Sequence, residues 1–170
     1  MGQVMTTSSF NPDTVRQTGF DRTRVTHWIA FGFGSGLSPK APGTVGTLAA
    51  IPLYLLMSPL HWTLYAGLLL IFTLFGIWVC GRVAEDLGAK DPSAIVWDEF
   101  VGLLLTMIVA PPGWLWIVAG FLAFRLFDIW KPWPIRLVDQ QVGGGLGIML
   151  DDLIAGVMAA LVLLALNWFL

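Results

Sequence analysis

Charge is what this sequence has least of. Only 12% of its 170 residues are Asp, Glu, Lys or Arg, about half the share of a water-soluble domain. Cysteine is represented by Cys80 alone, which excludes a disulfide-stapled fold. With His27 and His61 as the only histidines, a zinc-type ligand set is excluded as well. Positive charge is not in excess either. Nine Lys and Arg against eleven Asp and Glu give a net charge of −2, so nucleic acid is not an expected partner. What fills the chain instead is apolar: 56% hydrophobic residues, with nine Trp and eleven Phe, and a mean hydropathy of +0.77. A disordered chain lacks such content, and a single core of this size cannot bury it. The expected solvent is a lipid bilayer.

No charged residue occurs between Lys40 and Arg82, between Glu99 and Arg125, or after Asp152. The first gap is interrupted at Ser58-Pro59-Leu60-His61 and the second at Pro111-Pro112-Gly113, both helix stops. The pattern predicts an all-α, polytopic transmembrane helical bundle of about five membrane segments, near 44–57, 62–81, 96–110, 114–131 and 151–170, with Gly-rich cytoplasmic loops. Lys and Arg mark cytoplasmic loops. Arg16, Arg22, Arg24 and Lys40 precede the first segment, Arg82 and Lys90 follow the second, and Lys131 and Arg136 follow the fourth. The opposite turns carry neither residue, which places the N-terminus inside. Residues 1–24 are expected to form a flexible polar tail, without the apolar core of a cleavable signal peptide, and 25–170 a single integral-membrane domain. No internal repeat suggests the inverted halves of a transporter.

The acidic residues sort to the same side, and some lie in apolar surroundings: Asp98-Glu99 in Val-Trp-Asp-Glu-Phe, Asp128 between Phe127 and Ile129, and Asp151-Asp152 between Leu150 and Leu153. Carboxylates so placed are costly unless paired or bound to a cation. The plainer alternative is that Asp98-Glu99 and Asp151-Asp152 cap helix N-termini. Arg125, Asp128 and Lys131 recur at intervals of three and share one helical stripe, either as a salt-bridge ladder or as part of a site for a metal and a phosphate. Mg²⁺ is held by carboxylates and substrate phosphates, and Arg and Lys take the remaining anionic oxygens.

Two glycine-rich stretches accompany these residues. Gly32-Phe-Gly-Ser-Gly-Leu-Ser-Pro39 leads to Pro42-Gly-Thr-Val-Gly-Thr47, and its hydroxyls Ser35, Ser38, Thr44 and Thr47 are candidate phosphate donors. Gly143-Gly-Gly-Leu-Gly147 leads to Asp151-Asp152. Neither is a nucleotide P-loop, since no Gly-Lys-Ser or Gly-Lys-Thr follows. Either can also be a loop without a ligand. Cys80 is followed six positions on by Asp86, not by the Arg of a cysteine phosphatase, and no Asp-x-Asp pair is present. What remains is an oxygen-only, Mg²⁺-type site at the cytoplasmic interface, suited to metal-assisted phosphoryl chemistry.

Four segments, Gly32 to Pro52, Ile95-Val-Trp-Asp-Glu-Phe100, Phe124-Arg-Leu-Phe-Asp-Ile-Trp-Lys-Pro-Trp-Pro-Ile-Arg136 and Gly143 to Asp152, closely resemble the bacterial phosphatidylglycerophosphatase A family, in order and with similar spacing. The resemblance covers the chain from about Trp28 to near its C-terminus. It implies a multi-pass inner-membrane, Mg²⁺-dependent phosphatase, its active site facing the cytoplasm, that converts phosphatidylglycerophosphate to phosphatidylglycerol and phosphate. On this reading Asp98, Glu99, Asp128, Asp151 and Asp152 converge on Mg²⁺, while Arg125, Lys131 and the hydroxyls of Ser35, Ser38, Thr44 and Thr47 hold the terminal phosphate. The nucleophile is a water or one of the aspartates. The lipid's acyl chains stay in the bilayer. A transporter of a phosphate-bearing solute is the rival reading, although its site belongs at the bilayer midplane. Oligomeric state is left open.

Overall fold

A computed structural model of the chain describes residues 19–169; residues 1–18, most of the expected tail, lie outside the described residues. Helix is the only regular structure among the described residues. The elements are α1 (Val25–Ala30), a 3-10 helix (Gly32–Leu37), α2 (Pro42–Met57), α3 (Trp62–Leu87), α4 (Trp97–Met107), α5 (Trp114–Trp130), α6 (Ile135–Gln141) and α7 (Gly144–Phe169). Their boundaries follow local chemistry. Pro42 opens α2 at a position where its missing N–H costs nothing. The His61 ring caps α3 by accepting from the Thr63 N–H, and Gly88 closes that helix in the left-handed conformation at φ 64°. Pro132, which cannot continue a helix, follows the end of α5.

α7 is the axis of the bundle and touches α3, α4, α5 and α6. α4 lies against it and is the most enclosed helix, with only Glu99 and Leu105 not fully buried. Glycines set the α4–α7 distance. A Cβ on Gly156 would stand 2.7 Å from the Gly102 carbonyl oxygen, and one on Gly102 would stand 3.1 Å from that of Asp152. Backbones approach this closely only where side chains are missing. The Thr106 hydroxyl reinforces the seam, donating to the Gly102 carbonyl at 2.9 Å with that of Gly156 at 3.3 Å. Each helix then carries an acid one turn before its glycine: Asp98 before Gly102, Asp152 before Gly156. The seam therefore brings the acids of two helices together.

Two helices, Trp62–Leu87 and Gly144–Phe169, are long and apolar enough to cross a membrane. The other expected segments are shorter. α4 has 11 residues, about 16 Å of helix at about 1.5 Å per residue. The segment expected at 151–170 starts earlier, at Gly144, so Asp151 and Asp152 sit about two turns inside α7 and do not cap it. Phe20, within the expected tail, is buried against Phe31 and edge-on to Trp28, with ring centroids 5.0 and 5.2 Å away. Outside the core, α3 exposes Leu70, Leu74 and Trp78, and α5 exposes Leu115, Leu122 and Leu126.

Candidate metal and phosphate site

At the end of the bundle where α4 begins, a cavity of about 340 Å³ opens between the start of α2, the first turn of α4, the last turns of α5 and the second turn of α7. Its floor is acidic. Asp98 and Glu99 come from α4, whose N-terminal end favours negative charge, and Asp152 comes from α7 across the glycine seam. One carboxylate oxygen from each of these three residues lies within 4.8 Å of the other two. Asp98 and Asp152 are buried at 9% and 3% exposure. Asp98 Oδ1, Glu99 Oε2 and Asp152 Oδ2 accept no hydrogen bond. Buried carboxylates that repel one another and meet no donor are costly. A divalent cation removes both costs, and an all-oxygen donor set from three carboxylates fits a hard ion.

The remaining predicted acids are partnered. Asp128 accepts from the Arg125 guanidinium one turn before it, and that guanidinium also lies 3.9 Å from Glu99 Oε1. Arg125 Nε is buried and donates to nothing. Thr47, fully buried, stands behind Arg125 with its hydroxyl 3.5 Å from the guanidinium. Asp151 Oδ2 accepts from Lys131 Nζ at 2.7 Å, and its Oδ1 accepts from the Asp152 N–H at 3.1 Å. Asp151 thus ties the lysine to the backbone that carries Asp152. Lys131 also donates to Asp139 Oδ1 at 2.8 Å.

The glycine-rich segments contribute differently from what their composition suggests. Gly43 abuts the site: a Cβ there would collide with Glu99 Oε1 and stand 3.1 Å from the Arg125 guanidinium. The Ser35 and Ser38 hydroxyls donate instead to the carbonyls of Gly32 and Lys40, and neither they nor Thr44 lines the cavity. Gly145 is a packing residue, where a Cβ would collide with the Ile77 carbonyl of α3. Asp91 and Ser93, which also line the cavity, and Asp139 were not among the predicted site residues. Their signal was weak: polar residues in connecting segments, with nothing in the spacing to distinguish them from ordinary loop residues.

The family model for phosphatidylglycerophosphatase A matches residues 28–167. The chain belongs to the phosphatidylglycerophosphatase A family. Among curated proteins it is 50% identical over 135 residues to phosphatidylglycerophosphatase A of Escherichia coli strain K12, covering 79% of this chain and 78% of that protein. It is 42% identical over 149 residues to the phosphatidylglycerophosphatase A of Haemophilus influenzae, covering 85% and 90%. A protein of Bacteroides thetaiotaomicron named putative phosphatidylinositol-3-phosphatase is 41% identical over 149 residues, covering 82% and 92%. No solved structure matches the chain. The stretch matched by the phosphatidylglycerophosphatase A model contains every cavity residue described above.

Proposed function

We propose that this protein is a Mg²⁺-dependent phosphatase of the bacterial inner membrane that hydrolyses phosphatidylglycerophosphate to phosphatidylglycerol and phosphate, the last step of phosphatidylglycerol synthesis. The observation that carries the reading is the set of three carboxylates that line one cavity alongside Arg125 and each bring an oxygen within 4.8 Å of the other two. Asp98, Glu99 and Asp152 would hold the ion. When bound, Mg²⁺ supplies positive charge for the phosphoryl oxygens and favours ionisation of water. Arg125, oriented by Asp128, and Lys131, oriented by Asp139 and Asp151, face the monoester oxygens and offset the charge that builds on them. The nucleophile is water. Its oxygen bonds to phosphorus as the bond to the glycerol oxygen breaks, and a carboxylate of the site takes the water's proton and passes it to the departing glycerol oxygen, which leaves as the alcohol.

The apolar exterior supports a membrane setting and, with it, the expected multi-pass topology. Trp114 and Trp130 bound α5 and are about 70% exposed; the 17 residues of that helix cover about 25 Å, close to a bilayer core. Trp62 and Trp168 lie at helix ends opposite the cavity and are also exposed, as interfacial Trp residues are. With Lys and Arg sorted to the cavity end, the site faces the cytoplasm.

The name carried by the Bacteroides relative makes a phosphorylated inositol lipid the second substrate to test. The assay is release of inorganic phosphate by detergent-purified protein from each lipid, with Mg²⁺ and with chelator. The proposal expects turnover of phosphatidylglycerophosphate that stops with chelator. No phosphate from that lipid would sink it, and a transporter, lacking a membrane to work across, would release none.

A further inference from the structure

A second cavity, of about 260 Å³, lies beside the first. Asp91 and Asp151 line both. We infer that the smaller cavity is the aqueous door of the site, through which water enters and inorganic phosphate leaves, while the lipid uses the other mouth. This rests on the phosphatase reading above.

The two mouths differ in chemistry. The larger cavity is edged by Ala41, Pro42 and Ile129, and Ile129 is 69% exposed on the apolar outside of α5, where an acyl chain can lie. The smaller is edged by Lys90 and by exposed backbone at Gly143 and Gly144. Hydrolysis of a lipid monoester makes one product that belongs in the bilayer and one multiply charged anion that does not, so the two need different exits. The wall between the cavities is the Lys131 bridge. Lys131 lines the larger cavity, Asp139 the smaller, and Lys131 bonds to Asp139 and Asp151 together. Asp91 lines both cavities, and Lys90 and Asp139 line the smaller alone, so an anion leaving past the bridge meets acids as well as a lysine and is not stored there.

Gly143 allows the door to be closed after folding. A Cβ there meets no atom within 4 Å, its φ is not positive, and the chain's own thiol, Cys80, is fully buried. Purified Gly143→Cys protein is assayed on phosphatidylglycerophosphate before and after coupling to a bulky maleimide. Before coupling the rate matches the parent. After coupling, kcat falls about tenfold or more because release becomes limiting, KM for the lipid falls with it so that kcat/KM holds, and rapid quenching shows a burst of one phosphatidylglycerol per enzyme. An unchanged kcat, a raised KM with kcat retained, or a slowed rate without a burst each overturns the door while leaving the phosphatase reading intact. No turnover even in the parent protein removes that reading and the door with it.

Discussion

Five carboxylates reach the cavity from α4, α5 and α7, and they fall into two groups. Asp128 and Asp151 are each bonded to a cation, Arg125 and Lys131 respectively. Asp98, Glu99 and Asp152 each keep a buried oxygen that accepts nothing. Local sequence does not separate them, because Asp151 and Asp152 are neighbours. Their direction on the helix does: successive residues are about 100° apart, so Asp151 turns to Lys131 and Asp139 while Asp152 turns to α4. On the proposed function, the first group would hold the cations that meet the phosphate and the second would hold the metal ion. A carboxylate's role here is set by what faces it.

The largest effect that this division predicts comes from the unpartnered group. Asp152→Asn, or Asp98→Asn, is expected to reduce phosphate release by more than the ~100-fold that loss of an outer partner costs, and extra Mg²⁺ should not restore it. Arg125→Lys comes next. It keeps the charge but not the planar fork or the Nε donor, and kcat should fall on the order of 100-fold with metal binding retained. Asp151→Asn should cost ~10–100-fold. If it is as damaging as Asp152→Asn and also abolishes metal binding, the division between the groups fails.

Smaller effects address the fold that positions the acids. Gly156→Ala places a methyl against the Gly102 carbonyl, and the melting temperature in detergent should report a loss of about 1–3 kcal/mol, with activity falling as the α4–α7 seam widens. Smallest of all, Ser38→Ala should leave KM and kcat within about twofold, since its hydroxyl is spent on the Lys40 carbonyl and surface changes of this kind stay within about 0.5 kcal/mol. A large rise in KM there would restore the hydroxyl-rich segment as a phosphate cradle.

That last contrast shows where reading the sequence stops. Residue type and charge gaps are enough for the helical class, for most helix ends and for naming five acids that line one cavity, because Pro, Gly and buried charge each act locally. The partner of each side chain depends on packing between distant segments and is not local. Ser35 and Ser38 look like anion donors in a string of glycines, yet a 3-10 helix and the turn after it place a carbonyl within reach of each hydroxyl. Gly145 looks like loop and serves instead to let α7 touch α3. The position of Asp151 and Asp152 was misjudged because α7 starts with glycines, poor helix formers, which the contact with α3 holds in a helix. One cue was legible and is simple in hindsight: Asp98 and Gly102 repeat the spacing of Asp152 and Gly156, the pattern of two helices that meet at their glycines.

The most direct test of the division is a count of bound Mn²⁺, standing in for Mg²⁺, by electron paramagnetic resonance on detergent-purified protein. The parent and Asp128→Asn proteins should bind the ion, and Asp98→Asn/Asp152→Asn protein that melts normally should not. Full Mn²⁺ binding by the double variant, or its loss in Asp128→Asn, would contradict the assignment.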